Sequence, residues 1–227
     1  LTEELRVQII NAQTLVAVED LYRPYRPKRR TRATIAKEKG LEPLAAILML
    51  QKIQKPLEEE AQKYISAEKE VHTVEEAIAG AKDILAETVS DEADYRSFIR
   101  NLTVKEGKMT SSAKDDSVQS VYEMYYSFEE PVSRLAGHRI LALNRGEKEK
   151  ILNVKIEAPE EKILRYLEKK IIVSENPYTS EYLKEVAEDS YKRLIAPAIE
   201  REIRSSLTEK AEDSAITVFG KNLEQLL

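Results

Sequence analysis

Between Arg23 and Arg32, six of ten residues are basic and none is acidic. They are Arg23, Arg26, Lys28, Arg29, Arg30 and Arg32. A guanidinium is a planar fork of donors that matches two phosphate oxygens at once, so this density of arginine suits a polyanion. Pro24 and Pro27 bias the backbone towards extended geometry, which presents the forks with little ordering cost. Tyr22 and Tyr25 lie among them and could stack on bases or anchor the loop. The competing reading is internal: the same arginines could pair with acids of neighbouring helices or domains; a contact with a protein partner is the third.

A second set of polar side chains punctuates Phe128 to Glu149, where His138, Arg139 and Arg145 interrupt an apolar pattern. Arg139 and Arg145 could contact a phosphate or a partner. The plainer reading is an amphipathic helix that Gly146 terminates. Tyr122, Tyr125, Tyr126 and Phe128 form an aromatic cluster whose spacing fits a core better than a stacking platform.

Other chemistries find no support. The chain has no cysteine, so disulfides and thiolate metal sites are excluded. Its two histidines, His72 and His138, are far apart in sequence, and no metal site is expected. Six glycines are scattered, and none groups into a phosphate-cradling loop. Neither a nucleophile elbow nor a zinc-protease helix motif occurs. Carboxylate pairs such as Glu75 and Glu76 sit in charge-rich helical contexts and read as solvated faces. The expectation is a non-catalytic protein without a cofactor.

Composition sets the frame for those residues. Of 227 residues, 42% are hydrophobic and 34% are charged, with only 6 Gly and 8 Pro. This predicts a predominantly all-α, multi-helical fold with charged outer faces. The net charge of −5 argues against a small autonomous DNA-binding domain, so any nucleic-acid contact should be local, weak and nonspecific. No apolar run approaches the roughly 20 residues needed to span a bilayer, and no signal peptide opens the chain. Absence of cysteine fits a reducing compartment, and a cytoplasmic location is expected. The sequence starts at Leu1, already in a helical pattern, which suggests that the native N-terminus lies further upstream.

Along the chain, one or two short helices are expected up to Val18, then an ordered loop over Arg23–Arg30. Thr31 or Thr34 should cap a short helix ending at Gly40, and a further helix should start near Pro43. Helices are also predicted from Pro56 to Ile65, after a Thr73–Glu76 capping box, and from Asp91 to about Leu102. Residues 107–117 read as a loop dividing an N-terminal helical part, 1–106, from a second, 118–227. Pro131 should open a helix ending at Arg145. Ile151–Ile156 alternates and predicts one short strand, or a hairpin with Arg139–Leu143. Helices follow over Glu160–Ile172 and Ser180–Ala196. Pro197 should begin a long C-terminal helix with Ile199, Ile203, Leu207 and Phe219 facing earlier helices.

Four stretches carry a resemblance: EDLYRPYRPKRRTRATIAKEKGLEPLA (Glu19 to Ala45), GAKDILAE (Gly80 to Glu87), GHRILALNRGEKE (Gly137 to Glu149) and the run from Asp189 to Leu227. In them the chain resembles the Tex family, bacterial relatives of a eukaryotic transcription elongation factor. The resemblance implies an N-terminal helical region with helix-turn-helix character. In the family it precedes an RNase H-like domain held to be inactive, helix-hairpin-helix elements and an S1 domain, the main nucleic-acid binder. This chain stops where the RNase H-like domain would begin. The implied role is a nucleic-acid-associated scaffold in transcription. The alternative is a docking module for RNA polymerase or the later domains, with negligible nucleic-acid binding alone.

Overall fold

The fold is described from a computed structural model covering residues 2–27 and 29–226, the side chains of Gln225 and Leu226 aside. The helices are α1 Glu3–Asn11, α2 Leu15–Tyr22, α3 Arg32–Glu38, α4 Glu42–Leu50, α5 Leu57–Ala61, α6 Val74–Asp91 and α7 Ala93–Glu106. Strands β1 Lys108–Ala113 and β2 Ser127–Pro131 follow, then α8 Gly137–Lys148 and β3 Leu152–Glu157. The chain closes with α9 Glu160–Ile171, α10 Ser180–Asp189, a π-helical segment Ser190–Ile195 and α11 Ala196–Leu226. Among the described residues no helix is long and apolar enough to cross a membrane.

The helix starts follow local chemistry. Thr2, Thr14, Thr31 and Thr73 each accept a backbone N–H in the first turn of their helices. Gly40, at φ +77°, ends α3 by donating to the Lys37 carbonyl, and Leu41 donates to Ala36. This paired closure needs a left-handed residue at Gly40. Gln51 ends α4 in the same left-handed region at φ 56° but is buried. Its amide donates to the Ile171 carbonyl at 2.7 Å and accepts from Val173 and Ser174 at 3.0 and 3.1 Å.

The chain forms two compact units, each discontinuous in sequence. Unit 1 is Leu1–Ser97 with Glu161–Ala196, and unit 2 is Phe98–Glu160 with Pro197–Leu227. In unit 1, α3, α4, α5 and α10 pack around α6. Helix α6 buries Ala77, Ala81, Ile84, Leu85 and Val89, while Leu44, Leu48, Ile163, Leu167 and Leu183 complete the core. A Cβ on Gly80 would lie 2.4 Å from Leu41, so this glycine permits the close approach of the α3–α4 corner.

Unit 2 is built on an antiparallel sheet of order β2-β1-β3, with α8 packed on β3. Met109 pairs with Glu130 on one side and Ile156 on the other. Helix α11 closes the outer edge of β3: Glu200 accepts the Ile156 N–H at 2.9 Å, and Arg204 donates to the Val154 carbonyl at 3.4 Å.

Several expectations are corrected. The expected division at 107–117 does not coincide with the units, and most of that stretch is β1, the central strand of the sheet. Its few apolar residues hid it; Ser111 is buried through a hydrogen bond to the Tyr125 carbonyl at 2.6 Å. The expected single strand is one of three among the described residues, and Arg139–Leu143 is helical rather than half of a hairpin. Residues after Pro131 form one 3-10 turn, Val132–Arg134, before α8 starts at Gly137. Gly146 does not stop α8. It is buried inside the helix, where a Cβ would lie 2.6 Å from Leu152. Pro197 sits in the first turn of α11, directly after the π-helical segment. It cannot donate to residue 193 and its ring crowds that carbonyl, which the widened turn relieves. Ile199 and Ile203 are buried and Leu207 is half-buried, but Phe219 is 69% exposed. From Glu212 to Glu224 the side chains of α11 face solvent.

Candidate nucleic-acid interface

The basic segment begins where α2 ends. Arg23-Pro24-Tyr25 makes one 3-10 turn, closed by the Arg26 N–H on the Arg23 carbonyl at 3.2 Å. The chain is then pinned again at Thr31. Thr31 and Thr34 bond reciprocally: the Thr31 hydroxyl accepts the Thr34 N–H at 3.1 Å, and the Thr34 hydroxyl accepts the Thr31 N–H at 2.7 Å. The arginines thus leave a segment held at both ends.

Their surroundings differ. Arg23 is half-buried, its Nε 3.3 Å from Asp91 Oδ1. Arg26 and Arg29 are exposed and make no ion pair with any described residue. Arg30 approaches Glu38 at 3.8 Å, with both side chains mostly in solvent, a pair of little energetic weight. Arg32 is exposed on the first turn of α3. Lys28 lies outside the described residues. Tyr22 and Tyr25 are both exposed. Arg26, Arg29 and Arg30 therefore turn positive charge outward, while Arg32, though exposed, also lies within the field of Asp83 and Asp189.

Beside them Asp83, Asp189 and Arg193 form a charged cluster in which Arg193 reaches Asp189 at 2.9 and 2.6 Å and Asp83 at 3.5 Å. Burial pushes the Asp83 carboxyl up, against the opposing fields of Arg193 and Arg32. The hydrogen bond from Arg193 holds Asp189 low, helped by the nearby charges of Arg32 and Lys82.

Arg139 and Arg145 belong to unit 2, whereas the basic loop belongs to unit 1. Arg139 donates to Glu130 Oε2 at 2.6 Å and lies over the Phe128 ring at 5.9 Å, so the fold occupies it. Arg145 is exposed on α8. Tyr122 and Tyr125 are buried, and Tyr125 meets Phe128 edge-on at 5.3 Å, as a core cluster would. Among the described residues no group of three or more His, Asp or Glu could hold a metal ion.

Sequence reasoning missed a buried ion pair at the end of α2, just before the loop. Arg96 on α7 has a fully buried side chain, and its Nε donates to Asp20 Oδ1 at 2.7 Å. Asp20 lies one turn before Arg23, yet Arg96 is 76 residues away, and no local pattern announces the pair.

Comparison with known proteins supplies the context. A family model described as Tex central region-like matches residues 52–219, so the basic loop lies just before the matched segment. A Bacillus subtilis protein named YdcI is 53% identical over 230 residues, covering all of this chain and 32% of the relative. Protein tex of Bordetella pertussis is 35% identical over 244 residues, again all of this chain and 30% of its own length. The Transcriptional accessory protein Tex of Neisseria gonorrhoeae is 34% identical, covering all of this chain and 30% of the relative. The chain thus spans about a third of the length of the relatives it matches.

Proposed function

The chain belongs to the Tex family, and from that premise we propose that it is a non-catalytic, cytoplasmic module of a transcription accessory factor that touches nucleic acid through the Arg26–Arg32 segment. The observation that carries the reading is the outward exposure of Arg26, Arg29 and Arg30 on a loop anchored at both ends. Such a loop neutralises phosphates without reading bases, so affinity is weak and sequence-independent. The acidity of the rest of the chain opposes approach of a polyanion and keeps the contact local.

Binding to a 20-base-pair DNA duplex under salt titration tests it. With about three or four phosphates neutralised, log K should fall against log salt with a slope of roughly −3 to −4. Arg29→Glu with Arg30→Glu should flatten that slope by about two units and leave the melting temperature unchanged, because both side chains are exposed. No binding by the unaltered protein at low salt, or an unaltered slope in the variant, overturns the reading.

A second reading has its own support. Ile216, Phe219 and Leu223 are exposed at helical spacing on α11, and such a stripe suits docking to another protein surface, RNA polymerase or a further part of a longer chain included. On that reading the module braces an assembly and the loop contributes little.

A further inference from the structure

We infer that Arg96 and Asp20 are positioning residues for the basic loop, aligning its arginines by a directional buried contact; this rests on the phosphate-binding reading above. Arg96 has a side chain that is 0% exposed, and that of Asp20 is 6% exposed. Burying two charges strips both of water, and their attraction often does no more than offset that loss. Apolar side chains of similar volume commonly serve stability as well or better. A pair kept under those conditions calls for something apolar packing does not supply.

Direction is what it supplies. The Arg96 Nε donates to Asp20 Oδ1 at 2.7 Å, and its Nη1 lies 3.4 Å from the Ser90 carbonyl. One rigid guanidinium on α7 thereby holds the last turn of α2 against the end of α6. Asp20 precedes Arg23 by three residues, so fixing Asp20 fixes the direction in which the chain leaves α2. The corner acts a second time through Asp91, the last residue of α6, which faces Arg23 at 3.3 Å. An apolar contact here would hold α2 against the same corner but let it slide and roll. The take-off direction of the loop would then be distributed, and the arginines would have to be ordered at the moment of binding.

The test separates holding the fold from aiming the loop. Asp20→Leu with Arg96→Met removes both charges together, so neither is left facing an absent partner from this pair, and the melting temperature should match or exceed that of the unaltered protein. The Arg26 amide, bonded to the Arg23 carbonyl, should exchange with deuterium about tenfold faster. Affinity for the 20-base-pair duplex at low salt should drop about five- to tenfold as preorganisation is lost. Arg96→Lys keeps the charge without the planar fork and should give intermediate exchange; it carries the test if the double variant does not fold. Unchanged Arg26 exchange in a folded variant overturns the inference, as does unchanged affinity where the unaltered protein binds. If the unaltered protein does not bind the duplex, the phosphate-binding reading fails and this inference with it; faster Arg26 exchange would then show only that the pair orders the loop.

Discussion

The arginines of the loop before α3 and those packed in unit 2 are the same side chain put to opposite use. In unit 2, Arg100 binds Glu202 at 3.0 and 2.8 Å, Arg139 binds Glu130, and Arg204 binds Glu147 and reaches the Val154 carbonyl. Each is half-buried and each is consumed by the fold. In unit 1, Arg26 and Arg29 meet no described acid. Local sequence explains only half of the contrast. The loop has no acid within its ten residues, but neither does nearness in sequence announce the acid that Arg100 reaches, since Glu202 is 102 residues away. A spared arginine is one that the tertiary fold declines to pair, and that property belongs to the fold.

The contrast can be broken from the consumed side first. Ile203 on α11 is 4% exposed, and Ile203→Asp should destabilise the protein by about 2–4 kcal/mol, because it places an unpaired charge in an apolar contact. A calorimetric melt checks it; an unshifted transition would mean that this part of α11 is not held as described. Next in size is Arg204→Met, which leaves Glu147 and the Val154 carbonyl without their donor. It should lower stability by about 1 kcal/mol in a denaturant titration while leaving duplex binding unchanged. Loss of duplex binding in this variant would erase the distinction between consumed and spared arginines. The smallest effect is expected from Phe219→Ser on the exposed part of the same helix, within about 0.5 kcal/mol of the unaltered protein by the same titration. A larger loss would show that Phe219 is covered in solution.

What could be read in advance was local. Thr31, Gly40, Pro43 and Thr73 signal their caps and stops through chemistry confined to four or five residues, and they fall where expected. The basic loop was also plain, because charge density needs no fold to be counted. What could not be read was non-local. Strand β1 has the sequence KMTSSA, and only its two flanking partners make it a strand. Gly146 looked like a stop, but the demand on it comes from Leu152 across the packing of α8 on β3. Phe219 looked like the continuation of a buried stripe, since periodicity cannot tell how far along α11 the neighbouring surface extends. For the candidate interface, the arginines were legible and the buried Arg96–Asp20 pair that holds them was not.

The side chains seated on β3 have a consequence for solubility. An open strand edge is a template on which a second molecule can add its own strand, and repetition of that step is how sheets grow into fibres. Glu200 and Arg204 occupy one outward donor and one outward acceptor of β3, so a foreign strand would have to break two contacts before making any. The opposite edge, β2, is only five residues long, carries Glu129 and Glu130 and ends in Pro131, which has no N–H to offer. A three-stranded sheet, with two edges that could take further strands, is thus kept to three by one helix and one short acidic edge.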